Sequence, residues 1–383
     1  MRQRLLPKAG FSVSELGLGC EHLQGKDEGL IREVVGAALD GGINILDLFM
    51  SEPNVRTNIG RALGNRRDQV AVQGHIGSAW LDGQYTRTRD LEQCRRFFDD
   101  LLRRLNTEYM DIGMIHFVDD LQDWRAIEKG PVMEYAQSLK ASGRIRATGM
   151  SSHNAQVALE AVRSGLIDVL MFSINPAYDL LHETTLIDDL FKGETYQAQT
   201  LRGVNPVRAE LYRSCEALGV GITVMKTLGA GALLEAKSSP FGTALTVPQL
   251  ARYALDRPGV ASVLVGCTSP EQVENYLRYE TLDEASLDYS SALGSTAAYS
   301  LAGRCMYCNH CLPCPARIDI AQVNKYLDLA EQQAQPVASV LDHYRLLEAH
   351  AGDCLACGLY EERCPFQVPV RQRMQQAKAL FGL

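Results

Sequence analysis

Two rhythms alternate along the first 280 residues. Short apolar runs at 16–19, 43–46, 70–73, 110–115, 146–150, 169–172, 221–225 and 262–265 have the length and bounding residues of strands. Between them, segments at 30–39, 91–105, 132–139, 155–162, 208–218, 248–255 and 270–277 repeat apolar residues every third or fourth position, the period that gives a helix one apolar face. Strands alternating with helices around eight strand positions predict an α/β fold, a (β/α)8 TIM barrel. From 179 to 206 the rhythm breaks, with no clean period before the next helix. Loops of that length commonly serve as functional lids, and a lid is the expectation here.

A barrel of this kind carries its chemistry at the C-terminal ends of its strands, and those ends are polar. The first strand runs into Cys20-Glu21-His22, the second into Asp47, the third into His75, the fourth into His116 and the fifth into Ser151-Ser152-His153-Asn154. A single histidine at a strand end is ordinarily a hydrogen-bonded structural residue. Several converging on one rim point instead to acid–base chemistry. Cys20 and Cys267, also at strand ends, read as small buried fillers.

The blocks LGLGC (16–20), GGINILD (41–47), LLRRLNTEYMDIGMIH (101–116), GRIRATGMSSHN (143–154) and VLVGCTSPEQVENYL (263–277) keep their order and spacing over residues 1–280 and resemble the aldo-keto reductases. The resemblance implies a TIM barrel with an Asp, Tyr, Lys, His tetrad in which the tyrosine is the general acid. Asp47 and His116 match its Asp and His. The other two positions differ, with Glu52 where the tyrosine belongs and His75 where the lysine ends the third strand. Asp47, Glu52, His75 and His116 would then form an acid/base set, Glu52 donating once burial or a carboxylate such as Asp47 raises its pKa. The alternative is that Glu52 sits on a displaced loop and touches nothing.

Family members bind NAD(P)H in an extended pose across the barrel mouth. The resemblance carries that role over to Ser151 and Asn154, to Lys226 and Gly229, and to Gly266, Thr268, Ser269, Gln272 and Asn275. The helix beginning near Pro270 could hold a phosphate on its first N–H groups; equally, Thr268 or Ser269 is simply its N-cap and Pro270 its first-turn residue. Many members carry a basic residue where Ser269 stands, so the resemblance leaves room for NADH more than for NADPH. Lys226 is the basic residue placed to meet a cofactor phosphate or an acidic substrate.

Cysteine usage divides the chain. Seven of its 11 cysteines lie between 305 and 364. The N-terminus lacks the apolar stretch of a signal peptide, so a cytoplasmic protein is expected, where disulfides are rare. The two runs read Cys305-x₂-Cys308-x₂-Cys311-x₂-Cys314-Pro315 and Cys354-x₂-Cys357-x₂-Tyr360-x₃-Cys364-Pro365. Twin runs ending in Cys-Pro resemble two-cluster bacterial ferredoxins, in which the last cysteine of each run serves the other run's cluster. One [4Fe–4S] cluster would use Cys305, Cys308, Cys311 and Cys364. The other would use Cys314, Cys354 and Cys357, one thiolate short, with Tyr360 where the missing cysteine belongs. That second site could be [3Fe–4S], [4Fe–4S] with an oxygen ligand, a cluster with one iron open to a small ligand, or empty. Zinc also takes paired Cys-x₂-Cys, but four thiolates at this spacing followed by proline suit a cuboidal cluster better. The first run has two residues before its Cys-Pro where the ferredoxin pattern has three, a version that ferredoxin-like tails on aldo-keto reductases resemble. Helical patterns at 318–330 and 337–349 would bring the runs together.

The expected organisation is therefore a barrel over 1–280, a linker over 281–300 and a small helical ferredoxin-like iron–sulfur domain over 301–383. With 38 Lys and Arg against 46 Asp and Glu the net charge is −8, which argues against a nucleic-acid partner. No apolar run is long enough to span a membrane. A small-molecule substrate and an electron-transfer partner remain. Two functions fit: an iron–sulfur oxidoreductase of aldo-keto reductase type acting on a small polar carbonyl or alcohol, or a non-redox lyase or dehydratase using an open iron as Lewis acid. A third reading, an inert barrel carrying an electron relay, sits badly with histidines and carboxylates gathered at one rim.

Overall fold

The computed structural model describes residues 1–180, 204–294, 305, 307, 311–331, 338–364 and 367–383. The expected lid falls largely at 181–203, outside the described residues. An antiparallel hairpin, β1 (Gln3–Leu6) and β2 (Phe11–Ser14), opens the chain. The barrel strands follow as β3 (Leu16–Gly19), β4 (Ile45–Leu48) and β5 (Ala71–Ile76). A second hairpin, β6 (Ser78–Leu81) and β7 (Gln84–Arg87), interrupts them. The remaining five are β8 (Met110–Ile115), β9 (Ile145–Ser152), β10 (Val169–Ser173), β11 (Gly221–Met225) and β12 (Val260–Gly266). β3, β4, β5, β8, β9, β10, β11 and β12 pair in that order as parallel neighbours, and β12 closes back onto β3.

Each barrel strand is covered on both faces, which is why its sequence is a continuous apolar run rather than an alternation. β5, β8 and β10 are buried at every position. Around them lie α1 (Glu28–Asp40), α2 (Pro53–Leu63), α3 (Leu91–Arg104), α4 (Leu121–Glu128), α5 (Pro131–Ala141), α6 (Ala155–Ser164), α7 (Pro176–Leu180), α8 (Pro206–Leu218), α9 (Val247–Leu255) and α10 (Pro270–Leu277). α3 shows how the sequence writes one of them. Asp90 caps its first turn by accepting from the Gln93 N–H, and Arg103 and Arg104 stand at its negative end. Cys94, Phe97, Phe98, Leu101 and Leu102 form its buried stripe; a fully buried side chain such as Phe98 contributes about 1.5–3 kcal/mol. Leu6 and Val13 of the first hairpin join an interior cluster with Ala71, Val169 and Ala261 from the beginnings of their strands, so the hairpin closes the end of the barrel away from the C-terminal rim.

The structure adds elements beyond the expected alternation: both hairpins, α2, α4 and the short α7. The β6–β7 connection carries its own signal, Asp82-Gly83, with both residues at positive φ (50° and 76°) as a two-residue hairpin turn requires. Among the described residues no helix is long and apolar enough to cross a membrane.

Contacts divide the chain into two units. One ends at Leu287; the other holds Asp288–Leu383 together with Phe241–Thr243. The second contains α11 (Ser290–Gly294), α12 (Ile320–Ala330), α13 (Ala338–Arg345), α14 (Leu359–Arg363) and α15 (Val370–Phe381). α12 and α15 are joined by Arg373, which donates to Asn324 at 2.6 Å and pairs with Asp328. Tyr344 on α13 stacks on Phe381 with ring centroids 4.0 Å apart.

Candidate active site

Strand register assembles the site. Asp47 on β4 lies opposite Gln73 on β5, and His75 follows two residues later on the same face. Gln73 Nε2 donates to Asp47 Oδ1 at 2.9 Å, and His75 Nε2 lies 2.9 Å from the same oxygen. His116 enters just after β8, its N–H held by the Ile76 carbonyl, and its Nδ1 is 2.8 Å from His75 Nδ1. At the far side Tyr85, from the β6–β7 hairpin, places its hydroxyl 2.5 Å from His116 Nε2. Phe49 stacks on the His116 ring at 5.4 Å and meets the edges of His75 and Tyr85. Asp47, His75 and His116 are buried, whereas Tyr85 is 38% exposed.

The burial has electrostatic consequences. It pushes the His116 pKa well below the usual histidine range, and the neighbouring His75, Arg89, His153 and Arg87 push it the same way. His116 is therefore a neutral imidazole at neutral pH, with one donor and one acceptor nitrogen. Burial also raises the Tyr85 phenol, against the opposing pull of Arg87 and Arg89. With an ionised carboxylate at Asp47, one assignment satisfies all three contacts. His75 Nε2–H donates to Asp47, His116 Nδ1–H donates to His75, and Tyr85 O–H donates to His116 Nε2.

The line opens on a cavity of about 520 Å³ at the C-terminal rim, walled by Asp47, Phe49, His75, Tyr85, His116, Phe117, Ser151, His153, Met171, Met225, Lys226 and Thr227 among others. His153 is held there by Asp119, whose carboxylate accepts from its Nδ1 at 3.0 Å and its N–H at 2.6 Å. Burial works to raise the Asp119 pKa, but the His153 and Ser152 hydrogen bonds outweigh it and keep the carboxyl below its usual range. Cys20 and Cys267 are buried thiols whose pKa values are raised chiefly by that burial, Cys267 to about 12, so both are un-ionised fillers at neutral pH.

Three of the four expected acid–base residues meet, and Glu52 does not join them. It is the N-cap of α2, its carboxylate accepting from the N–H groups of Asn54 (3.0 Å) and Val55 (2.6 Å). A tyrosine from outside the expected set, Tyr85, meets His116 in its place, and the Asp82-Gly83 turn is the sequence signal that marks its hairpin.

The expected cofactor residues separate in the same way. Ser151, Lys226 and Gly266 line the cavity. Lys226 has a positive φ of 59° and its Nζ stands 3.5 Å from Glu21. At Gly266 a Cβ would stand 2.3 Å from the His22 ring, so only glycine lets that ring approach. Gly229 (φ 56°) turns the chain between Leu228 and Ala230, which line the cavity on either side of it. Asn154 caps α6 through the Gln156 N–H. Ser269 caps α10 through the Gln272 N–H, and the Gln272 side chain accepts from the Thr268 N–H and hydroxyl. Asn275 is exposed on α10. The start of α10 is thus a self-capped helix turn.

In the second unit Cys314, Cys354, Cys357 and Cys364 are free thiols, Cys305 and Cys311 are partly buried, and Cys308 lies outside the described residues. Among the described residues no three Cys, His, Asp or Glu side chains come together as a metal-holding group. Tyr360 is buried with its hydroxyl 3.5 Å from Cys354 Sγ.

The profile of the Aldo/keto reductase family matches residues 15–243. The oxidoreductase YqkF of Bacillus subtilis is 29% identical over 178 residues, 45% of this chain, and the match spans 56% of that relative's length. The L-glyceraldehyde 3-phosphate reductase of Escherichia coli K12 is 25% identical over 335 residues, 77% of this chain and 93% of its own. Among solved structures, the holo form of the aldo-keto reductase AKR11C1 from Bacillus halodurans superposes with a TM-score of 0.57 at 24% identity, covering 74% of this chain and 92% of that one.

Proposed function

Because the chain belongs to the aldo/keto reductase family, we propose that it is an iron–sulfur oxidoreductase of that type, exchanging a hydride between a nicotinamide dinucleotide and a small polar carbonyl or alcohol. The supporting observation is the buried line Asp47–His75–His116, which reaches a cavity of about 520 Å³ at the C-terminal rim. A cavity of that size suits a small substrate with the reactive end of a dinucleotide. Phe49, Phe117, Met171 and Met225 in its wall keep the polar groups in low-dielectric surroundings, where a hydrogen bond to a developing alkoxide is worth most.

The residues present fit a nicotinamide. The buried hydroxyl of Thr227, in the cavity wall, has no hydrogen-bond partner among the described residues and is free to meet a carboxamide. Lys226 offers a charge to a phosphate. A bound nicotinamide would supply or accept the hydride; the chain's own part is to bind the carbonyl, orient it and hold the proton. With the start of α10 capped from within and no basic side chain at Ser269, that turn offers no grip for a 2′-phosphate, so NADH is the expected partner.

For the second unit we propose the clusters that the cysteine spacing supports: [4Fe–4S] on Cys305, Cys308, Cys311 and Cys364, and a second cluster, [4Fe–4S] or [3Fe–4S], on Cys314, Cys354 and Cys357. In the sequence Tyr360 takes the place of the missing cysteine of the second run, and its hydroxyl lies 3.5 Å from Cys354 Sγ, which supports the reading of that run as a three-thiolate set. The clusters would pass single electrons to or from a partner. Clusters of this kind, which need reduced cysteines, suit the cytoplasm.

The test is anaerobic turnover of full-length protein with NADH or NADPH and DL-glyceraldehyde, methylglyoxal or glyceraldehyde 3-phosphate as carbonyl probes, after iron and sulfide analysis. Nucleotide oxidation that depends on a carbonyl is the expected result. Failure of both nucleotides to bind would remove the hydride reading.

A further inference from the structure

We propose that Tyr85 is the catalytic residue that exchanges the reaction's proton with the bound carbonyl or alcohol, and that His116 and His75 link it to Asp47. This rests on the hydride reading above and names the group that completes it.

The hairpin that carries Tyr85 is fixed at its root. Ser78 Oγ donates to the Phe49 carbonyl, Ser51 Oγ donates to the Ala79 carbonyl at 2.6 Å, and the Thr88 N–H donates to the Gly77 carbonyl at 2.9 Å. Arg87 donates to the Phe117 carbonyl at 3.0 Å. The ring leans against Phe49, and the hydroxyl meets a buried neutral imidazole while facing the cavity. Packing alone asks for no hydroxyl at a half-exposed hairpin position; the short contact to His116 does.

The line of contacts has two proton arrangements of opposite sense. In the first, described above, Tyr85 donates to His116, His116 to His75 and His75 to ionised Asp47. In the second, Asp47 carries a proton and donates to His75 Nε2, His75 Nδ1–H donates to His116 Nδ1, His116 Nε2–H donates to the Tyr85 oxygen, and the Tyr85 O–H faces the substrate oxygen. The second holds one proton more. During reduction the hydride from a reduced nicotinamide forms the new C–H bond as the carbonyl π bond opens. The Tyr85 proton passes to the carbonyl oxygen, and each proton behind it moves one contact forward. The product is an alcohol and the first arrangement, with the negative charge on Asp47 and no phenolate left behind. After reduction one proton taken up from water resets the line; oxidation runs the same shifts backwards and releases one proton to water. Tyr85 touches the substrate; His116, His75 and Asp47 act through it as positioning residues.

Tyr85→Phe tests the assignment in the full-length, iron-loaded protein, with DL-glyceraldehyde and NADH as probes. kcat is expected to fall about 10²–10⁴-fold with little change in KM. Nitrogen-15 NMR of labelled histidine provides a readout apart from turnover, since the variant removes the donor to His116 Nε2 and shifts that resonance. For the positioning role, His75→Asn is expected to make the rate depend on buffer concentration, because Tyr85 must then be recharged from solvent. Wild-type turnover that survives Y85F, or an unshifted His116 nitrogen, overturns the Tyr85 assignment and leaves the hydride reading standing. A wild type that binds neither nucleotide overturns the hydride reading, and Tyr85's role with it.

Discussion

At the scale of residues, position on the barrel decides what can be read. Asp47, His75 and His116 are legible because each lies at or just beyond the end of an apolar strand, and strand patterns fix such ends closely. Glu52 is not, because its place is counted from Asp47 across a loop; the chain instead uses its carboxylate to hold the first turn of α2. Replacing it with alanine is expected to lower stability by about 0.5–2 kcal/mol, as loss of a cap does, and to leave kcat unchanged. Urea unfolding and turnover of the same sample check both halves. His116 gives a pH prediction. Its folded pKa lies well below the unfolded value of about 6.5, so below that pH the unfolded chain binds a proton that the folded chain refuses. Stability from this residue is complete above about pH 6.5 and falls as the pH drops toward the folded pKa. Urea midpoints at acid and neutral pH should show the loss, and His116→Gln should reduce it.

At the scale of elements, the eight barrel strands and seven of their helices follow from periodicity, with ends displaced by up to three residues. What escapes is what periodicity does not mark. α2 starts at a proline behind a Glu cap and carries a mixed pattern, and α4 is only two turns long. The β6–β7 hairpin is too short and exposed for an apolar run, so its turn residues are its main signal. Gly83 holds a φ of 76° there, which proline cannot adopt. Gly83→Pro is therefore expected to undo the hairpin and lower kcat as far as Y85F does, while the barrel's thermal midpoint stays close to wild type. A wild-type kcat in that variant would separate the hairpin from the chemistry. Gly60 marks a different constraint, since a Cβ there would stand 2.4 Å from the Arg104 carbonyl oxygen, and Gly60→Ala should cost about 1–3 kcal/mol by forcing α2 from α3.

At the scale of the whole molecule, cysteine density changes after residue 300, and contacts divide the chain at Leu287. The second unit's helices are legible where apolar residues recur, as along α12. The clusters proposed for it are legible only as spacing, because thiolates bind iron as a set gathered from distant parts of the chain. If the clusters are as proposed, they hold the second unit together, since ligand binding to the folded form adds to its stability. Chelating the iron anaerobically should then lower the melting transition of that unit and leave the barrel's transition in place, which differential scanning calorimetry before and after chelation would resolve.

The central claim is that a barrel with a remade proton line still moves a hydride. The most direct measurement is an anaerobic titration of the full-length, iron-loaded protein with NADH and NADPH, following nicotinamide fluorescence, then addition of DL-glyceraldehyde. A saturable change with NADH, followed by carbonyl-dependent loss of the reduced nucleotide, is the expected result. No saturable change with either nucleotide would contradict it and leave elimination chemistry at the same cavity as the function to pursue.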